Sequence, residues 1–293
     1  MHEAAEIIRQ VKRIDLFTRR LVDGLAAGQY RSAFKGTGIE FSEIREYYTS
    51  DDPRAIDWKV TARMNRPFVK QYLEERDLRV YFAFDLSASG NFGSEIEKKR
   101  KAIELAASLM FSALKNNDAV GLFLITDHVE KFVPARKGRK HVLKLLSALL
   151  SFEPASKKTD LNACLGEISK VLHRRCLLFV LSDFYSPDFS KPLKMLRARH
   201  DVVAISITDS REHNIPSIGL VEFEDEETGE QLLVDTSDPA FRANYEKLAK
   251  ERQNFLTNLF RKSKIDQIDI FSDAPYEVPL RRFFHNRSKK AIY

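Results

Sequence analysis

Apolar runs bounded by charged residues recur along the chain from residue 79 onward. Val80-Tyr81-Phe82-Ala83-Phe84, Ala119 to Ile125, Cys176 to Leu181 and Val202 to Ile207 are each too short and too uniformly apolar for an amphipathic helix. Such runs read as strands buried on both faces. Between them apolar residues recur at helical spacing. Ile103, Leu105, Ala106, Leu109, Met110 and Leu114 predict a helix over 95–116, and further helices are expected at 139–151, 160–173, 187–199 and 238–262. Ala119 to Thr126 and Val129 to Pro134 flank Asp127-His128 and predict a hairpin, the usual place for an antiparallel edge. Strands at 176–183, 201–208 and 265–271 complete an alternation that predicts a doubly wound α/β sheet with helices on both faces, spanning 79–271.

The flanking segments differ in texture. Residues 4–27 place Ile7, Ile8, Val11, Ile14, Leu16, Leu21 and Leu25 near one broad face, which predicts a helix packed on its own domain. Residues 28–78 carry Gly36, Gly38 and several short extended candidates, so 1–78 is expected to be an N-terminal helix plus a small β-containing appendage. Glu222 to Glu230 is an acidic insertion that reads as a surface hairpin turning at Thr228-Gly229, and 272–293 reads as a basic C-terminal tail.

Composition narrows the class. At 293 residues, 43% hydrophobic and 31% charged, the chain has the apolar mass for a sizeable core. Its longest apolar stretch, Ala119 to Ile125, is far short of the ~20 residues that span a bilayer. The N-terminus, Met1-His2-Glu3-Ala4-Ala5-Glu6, does not have the form of a secretory signal. Cys164 and Cys176 lie among apolar residues and are expected to be buried thiols, so the cytoplasm is the expected compartment. The net charge of +6 invites a nucleic-acid reading, but half of it sits in the last 22 residues, which carry 5 Lys/Arg against 2 Asp/Glu. A mixed surface with a basic tail is expected, not a nucleic-acid face.

The first core strand ends in Asp85-Leu86-Ser87-Ala88-Ser89. Residues two apart on extended backbone face the same way, so Asp85, Ser87 and Ser89 can aim oxygens at one point. Hard oxygen donors suit a cation such as Mg²⁺ or Mn²⁺. The strand at 176–183 ends in Asp183, and Lys158-Thr159-Asp160-Leu161 opens a helix with a hydroxyl. In a doubly wound sheet, ligands bind beyond the carboxyl ends of the strands at the switch point, where Asp85 and Asp183 are expected to be neighbours. The competing reading is a polar strand-to-helix turn, with Ser89 or Ser94 as a helix cap.

Asp-x-Ser-x-Ser, then Thr159, then Asp183 is the order of the metal-ion-dependent adhesion site of von Willebrand factor A-like domains. A second signature precedes it: Gly36-Thr37-Gly38-Ile39-Glu40-Phe41, Arg45-Glu46-Tyr47, Asp51-Asp52-Pro53-Arg54-Ala55-Ile56-Asp57-Trp58-Lys59 and Ala62-Arg63. With these the chain resembles the bacterial domain-of-unknown-function family fifty-eight. The resemblance implies a von Willebrand factor A-like, Rossmann-like core with Asp85, Ser87, Ser89, Thr159 and Asp183 around a metal ion. It also implies an adaptor working with a MoxR-type AAA+ ATPase, or with a client protein that supplies a carboxylate. Where such chains carry Gly before the Asp-Asp pair, this one has Ser50; where they carry Gly-Gly before the Thr, it has Lys157-Lys158.

Two other readings compete. A metal-dependent phosphoesterase or nuclease would use the ion to activate water, but no clear general acid or second metal site stands near the five residues, so the chain reads as a binding module and not an enzyme. Asp51, Asp52 and Asp57 could form a second carboxylate cluster; a tight turn with the acids accepting backbone or arginine hydrogen bonds is preferred. Trp58, the one tryptophan, is expected to anchor a core.

Overall fold

The computed structural model describes residues 9–11, 13–15, 30, 33–34, 40–48, 51–64, 66–73, 78–87, 95–224 and 231–290. The chain divides into two compact units, Phe34–Leu78 and the remainder.

In the larger unit the buried runs become strands of one six-stranded sheet. In chain order these are β3 (Arg79–Asp85), β4 (Ala119–Ile125), β5 (Val129–Arg136), β6 (Leu177–Ser182), β7 (Asp201–Thr208) and β10 (Asp266–Phe271), arranged β10-β7-β6-β3-β4-β5. All neighbours are parallel except β5, which pairs antiparallel with β4 at the edge. The order is the doubly wound one, reversing direction between β3 and β6.

Helices cover both faces, so the inner strands have no solvent side on which polar residues could alternate. On one face Tyr81, Ala83, Phe123, Leu178, Val180 and Ala204 pack beneath α4 (Leu161–Val171), α5 (Ser190–Arg199) and α6 (Pro239–Lys262). α2 (Glu95–Lys115) and α3 (Arg139–Ser151) pack on each other and on β4. Gly121 is demanded by the first layer: a Cβ there would lie 2.4 Å from the Tyr81 ring and 2.9 Å from the Ala135 nitrogen. A small strand pair, β8 (Leu220–Glu224) with β9 (Gln231–Asp235), carries the acidic insertion, whose expected turn lies outside the described residues.

The Phe34–Leu78 unit holds β1 (Glu40–Glu46), antiparallel to β2 (Phe68–Leu73), and a short helix α1 (Trp58–Met64). Residues up to 33 belong with the larger unit, so the single appendage expected over 1–78 is divided. Residues 9–11 and 13–15 of the expected first helix are helical, and the rest of that helix lies outside the described residues. Trp58 does not anchor a core: it is 70% exposed on a seven-residue helix whose half-buried positions are Val60 and Thr61.

The expected basic tail is also corrected. Glu277–Lys290 forms helix α7, with Leu280 and Phe284 buried. Arg287 donates to Asp266 Oδ2 at 2.6 Å, to Asp201 and to the Ala33 carbonyl at 3.1 Å, bracing the starts of β7 and β10. Part of the positive charge read as a solvated run therefore has internal counter-charges.

Truncating a fully buried aromatic leaves a cavity, so Phe284→Ala is expected to destabilise the protein by about 3–5 kcal/mol. Urea unfolding followed by circular dichroism reads this; a change within about 0.5 kcal/mol, as for a surface site, would contradict the packed helix.

Candidate metal centre

The parallel register sets Phe84 beside Leu181, so the next residues, Asp85 and Ser182, emerge side by side at the carboxyl end of the sheet. Each oxygen of the Asp85 carboxylate holds a hydroxyl. Ser87 Oγ donates to Oδ1 at 2.6 Å, joined by the Ser87 backbone N–H at 3.0 Å, and Ser182 Oγ donates to Oδ2 at 2.6 Å. Ser182 Oγ also accepts from the Phe184 N–H at 2.9 Å, which fixes the turn leaving β6. Asp183 Oδ1 accepts from the Tyr185 N–H at 2.8 Å.

Phe184 makes that turn rigid. It takes a left-handed backbone, φ 58°, which costs a residue with a Cβ about 1 kcal/mol. Its ring, fully buried, packs on Phe260 at 5.1 Å and Phe189 at 5.8 Å, and this burial offsets the backbone cost.

Thr159 is buried in the segment that spans the same end of the sheet. The Asp160 N–H donates to the Thr126 carbonyl just past β4, and the Leu161 N–H donates to Ser186 Oγ just past β6. Glu130 holds the preceding stretch by accepting from the Ala155 and Ser156 N–H groups at 2.9 and 3.1 Å. Lys157 and Lys158 are exposed on that stretch. Asp85, Ser87, Thr159 and Asp183 thus share one end of the sheet, and Ser89 lies outside the described residues.

The electrostatics follow from crowding acids. Burial, and then the negative charge of Asp183, push the Asp85 carboxyl up to about 7, against the opposing hydrogen bonds from Ser182 and Ser87. Glu212, on the turn Ser210–Glu212 after β7, is raised by burial and also feels Asp183, while its ion pair with Lys98 at the start of α2 pulls it down. Among the described residues no three His, Cys, Asp or Glu side chains converge as metal ligands. The donors here are two carboxylates with hydroxyls, an all-oxygen set of the kind that suits a hard dication retaining several waters.

Ser182 was not among the residues singled out from sequence. The signal was the register: a hydroxyl one residue before Asp183 on the strand paired with β3 must point at Asp85. The Asp51 to Asp57 acids build turns, as the preferred reading had it. Arg45 grips both Asp51 oxygens at 2.7 and 2.8 Å and holds its carboxyl down at about 2. Asp52 accepts from the Arg54 N–H, and Asp57 accepts from the Lys59 N–H. Both cysteines are free and buried, with burial pushing each thiol up to about 12.

Because the folded Asp85 carboxyl holds its proton more tightly than an ordinary aspartate, it favours the folded state below pH 4. That contribution is lost as pH rises through about 7. Thermal melts of the metal-free protein are expected to fall over this window, and Asp85→Asn is expected to flatten the fall. An unchanged slope in the variant would show that Asp85 is ionised and well solvated.

The chain is 29% identical over 286 residues to an uncharacterised protein of Mycobacterium tuberculosis strain H37Rv, an alignment covering 96% of this chain and 90% of that one. Among solved structures, the conserved hypothetical protein BatB from Bacteroides thetaiotaomicron matches with a TM-score of 0.45 at 13% identity, covering 72% of this chain and 99% of that one. The VWA domain of SpRpn10 matches at 0.33 and 12% identity, covering 46% and 77%. At those values neither neighbour carries an argument, and the doubly wound fold stands on this chain's own sheet order and antiparallel edge strand. The profile of one family covers residues 43–255, nearly the whole span from β1 into α6, and the chain belongs to that family, described as protein of unknown function DUF58.

Proposed function

We propose that this chain is a metal-dependent protein-interaction module, an adaptor or co-chaperone of a MoxR-type AAA+ ATPase in the cytoplasm. It would offer a Mg²⁺ or Mn²⁺ ion to a carboxylate of that ATPase or of a client. The observation that carries this reading is the Asp85 carboxylate, oriented by Ser87 and Ser182 and set at the strand switch beside Asp183. Two acids forced together in a half-buried cleft repel one another, and a dication relieves that repulsion directly.

Asp85, Ser87, Ser89, Thr159 and Asp183 would hold the ion, which supplies a Lewis-acidic point for an incoming carboxylate. Hydroxyl donors are neutral, so Asp85 and Asp183 alone offset its charge. Ser182 keeps the Asp85 carboxylate turned toward the cleft, and the Tyr185 N–H keeps Asp183 in place. The von Willebrand factor A-like architecture, with the cleft open beyond the strand ends, supports a binding role. No helix among the described residues is long and apolar enough to cross a membrane.

Asp85→Ala is expected to weaken Mg²⁺ binding in calorimetry by about 10–100-fold, the loss typical of a carboxylate that orients the ligands and acts through metal-bound water. The far-ultraviolet spectrum should not change, since the fold rests on the apolar strands. It should also abolish metal-dependent capture of the purified MoxR-type ATPase from the same genome. Mg²⁺ binding that survives in Asp85→Ala, Ser87→Ala would contradict the reading.

A further inference from the structure

An apolar stripe with one guanidinium at its centre runs beside the metal cleft, and its apolar side chains stand exposed among the described residues. Leu248, Arg252 and Phe255 on α6 are spaced four and three apart, so they lie along one face of the helix. Leu248 is 56% exposed and Phe255 59%, although both sit on a helix whose core face already buries Leu256 and Phe260. Tyr185, two residues past Asp183, is 65% exposed and stands against the same stripe: the Arg252 guanidinium lies 3.9 Å over its ring.

These side chains are held in place. Arg252 Nη2 donates to the Phe184 carbonyl at 2.6 Å, anchoring the guanidinium to the buried turn that carries Asp183. The Tyr185 N–H is bound to Asp183 and its ring rests on Arg252. An exposed tyrosine and a half-buried arginine already ordered lose little conformational entropy on binding, and these two types are enriched at the energetic centres of interfaces. The remaining Arg252 N–H donors have no acceptor among the described residues, so a planar, charged fork stays open between two apolar side chains.

The geometry points to a docking surface for an acidic, apolar segment of a partner protein, centred on Arg252. One partner carboxylate would meet the cleft at Asp85 and Asp183, a second would pair with the Arg252 fork, and apolar side chains between them would cover Leu248, Phe255 and the Tyr185 ring. Charge selects this occupant. The stripe presents one cation, bordered by the exposed Glu251, too little positive charge for nucleic acid, whose backbone requires several phosphate contacts. It is continuous with a cleft that calls for a carboxylate. The first contact rests on the metal reading above; the second does not.

Random dodecapeptides displayed on phage, panned on the full chain in Mg²⁺ and again in chelator, test both. Recovered peptides are expected to carry Asp or Glu together with Leu, Phe or Trp. Peptides synthesised from the strongest clones should bind at least tenfold more weakly to Arg252→Glu, and likewise to Leu248→Ser and to Phe255→Ser. The last two change exposed side chains that touch neither Asp85 nor Asp183, so a loss there cannot come from a damaged cleft. Mg²⁺ affinity in calorimetry should be unchanged in Leu248→Ser and Phe255→Ser. If wild-type protein binds no Mg²⁺ yet the peptides still depend on Arg252 and Phe255, the metal reading fails and the docking surface stands. Equal peptide binding by all three variants, no enrichment of acidic peptides, or a wild-type dimer in light scattering that Leu248→Ser dissolves would each overturn the proposal, the last by showing that a second copy covers the stripe.

Discussion

Parallel pairing of β3 with β6 is the contact on which the rest of this molecule depends. The chain reaches β6 only after it has laid down β4 and β5 on the other side of β3, so the sheet reverses direction at this pair. Two consequences follow from one register. The apolar runs of both strands are buried on two faces, which builds the core. Their polar ends, Asp85 and Ser182-Asp183, are delivered side by side to the mouth of the only crevice that a doubly wound sheet leaves open at the switch.

Placing two acids at one crevice costs free energy, and the structure shows how the cost is distributed. Asp85 is not left bare: two hydroxyls each donate to one of its oxygens, and still its proton is held more tightly than in water. Asp183 acts on Asp85 and on Glu212, so its charge is felt across the crevice from β3 to β7. The same turn that carries Asp183 is fastened by Phe184 below and by Arg252 from α6. The cleft and the exposed stripe on α6 are therefore parts of one rigid element: what orders the acid also orders the aromatic and the guanidinium beside it.

Much of this is legible in the sequence, and what is not has physical reasons. Strands buried on both faces announce themselves as apolar runs, and β3, β4, β6 and β7 fall where those runs predict them. The edge hairpin at Asp127-His128 is equally plain, because β5 mixes exposed with half-buried positions. Ser182 escapes notice because its role comes from a partner strand almost a hundred residues earlier, and register across a crossover leaves no local mark. Trp58 misleads because its size argues for burial, whereas the small unit that carries it has no interior for it at that position. In α7 the arginines and lysines draw attention as a charge run, while Leu280, Phe283 and Phe284 at helical spacing were the signal that mattered. The stripe on α6 hides for the opposite reason, since a helix with apolar residues at that spacing reads as core on both of its apolar faces.

The central claim is that the end of β3 and β6 binds a divalent cation through Asp85 and its neighbours. Diffraction from crystals grown with Mn²⁺, recorded near the manganese absorption edge, tests it without recourse to any partner. The account predicts an anomalous peak in contact with the Ser87 hydroxyl and within one water of both Asp85 and Asp183. A peak held elsewhere by the protein, or a cleft in which the Ser182 and Ser87 hydrogen bonds to Asp85 persist unchanged and no anomalous density stands beside them, would contradict it.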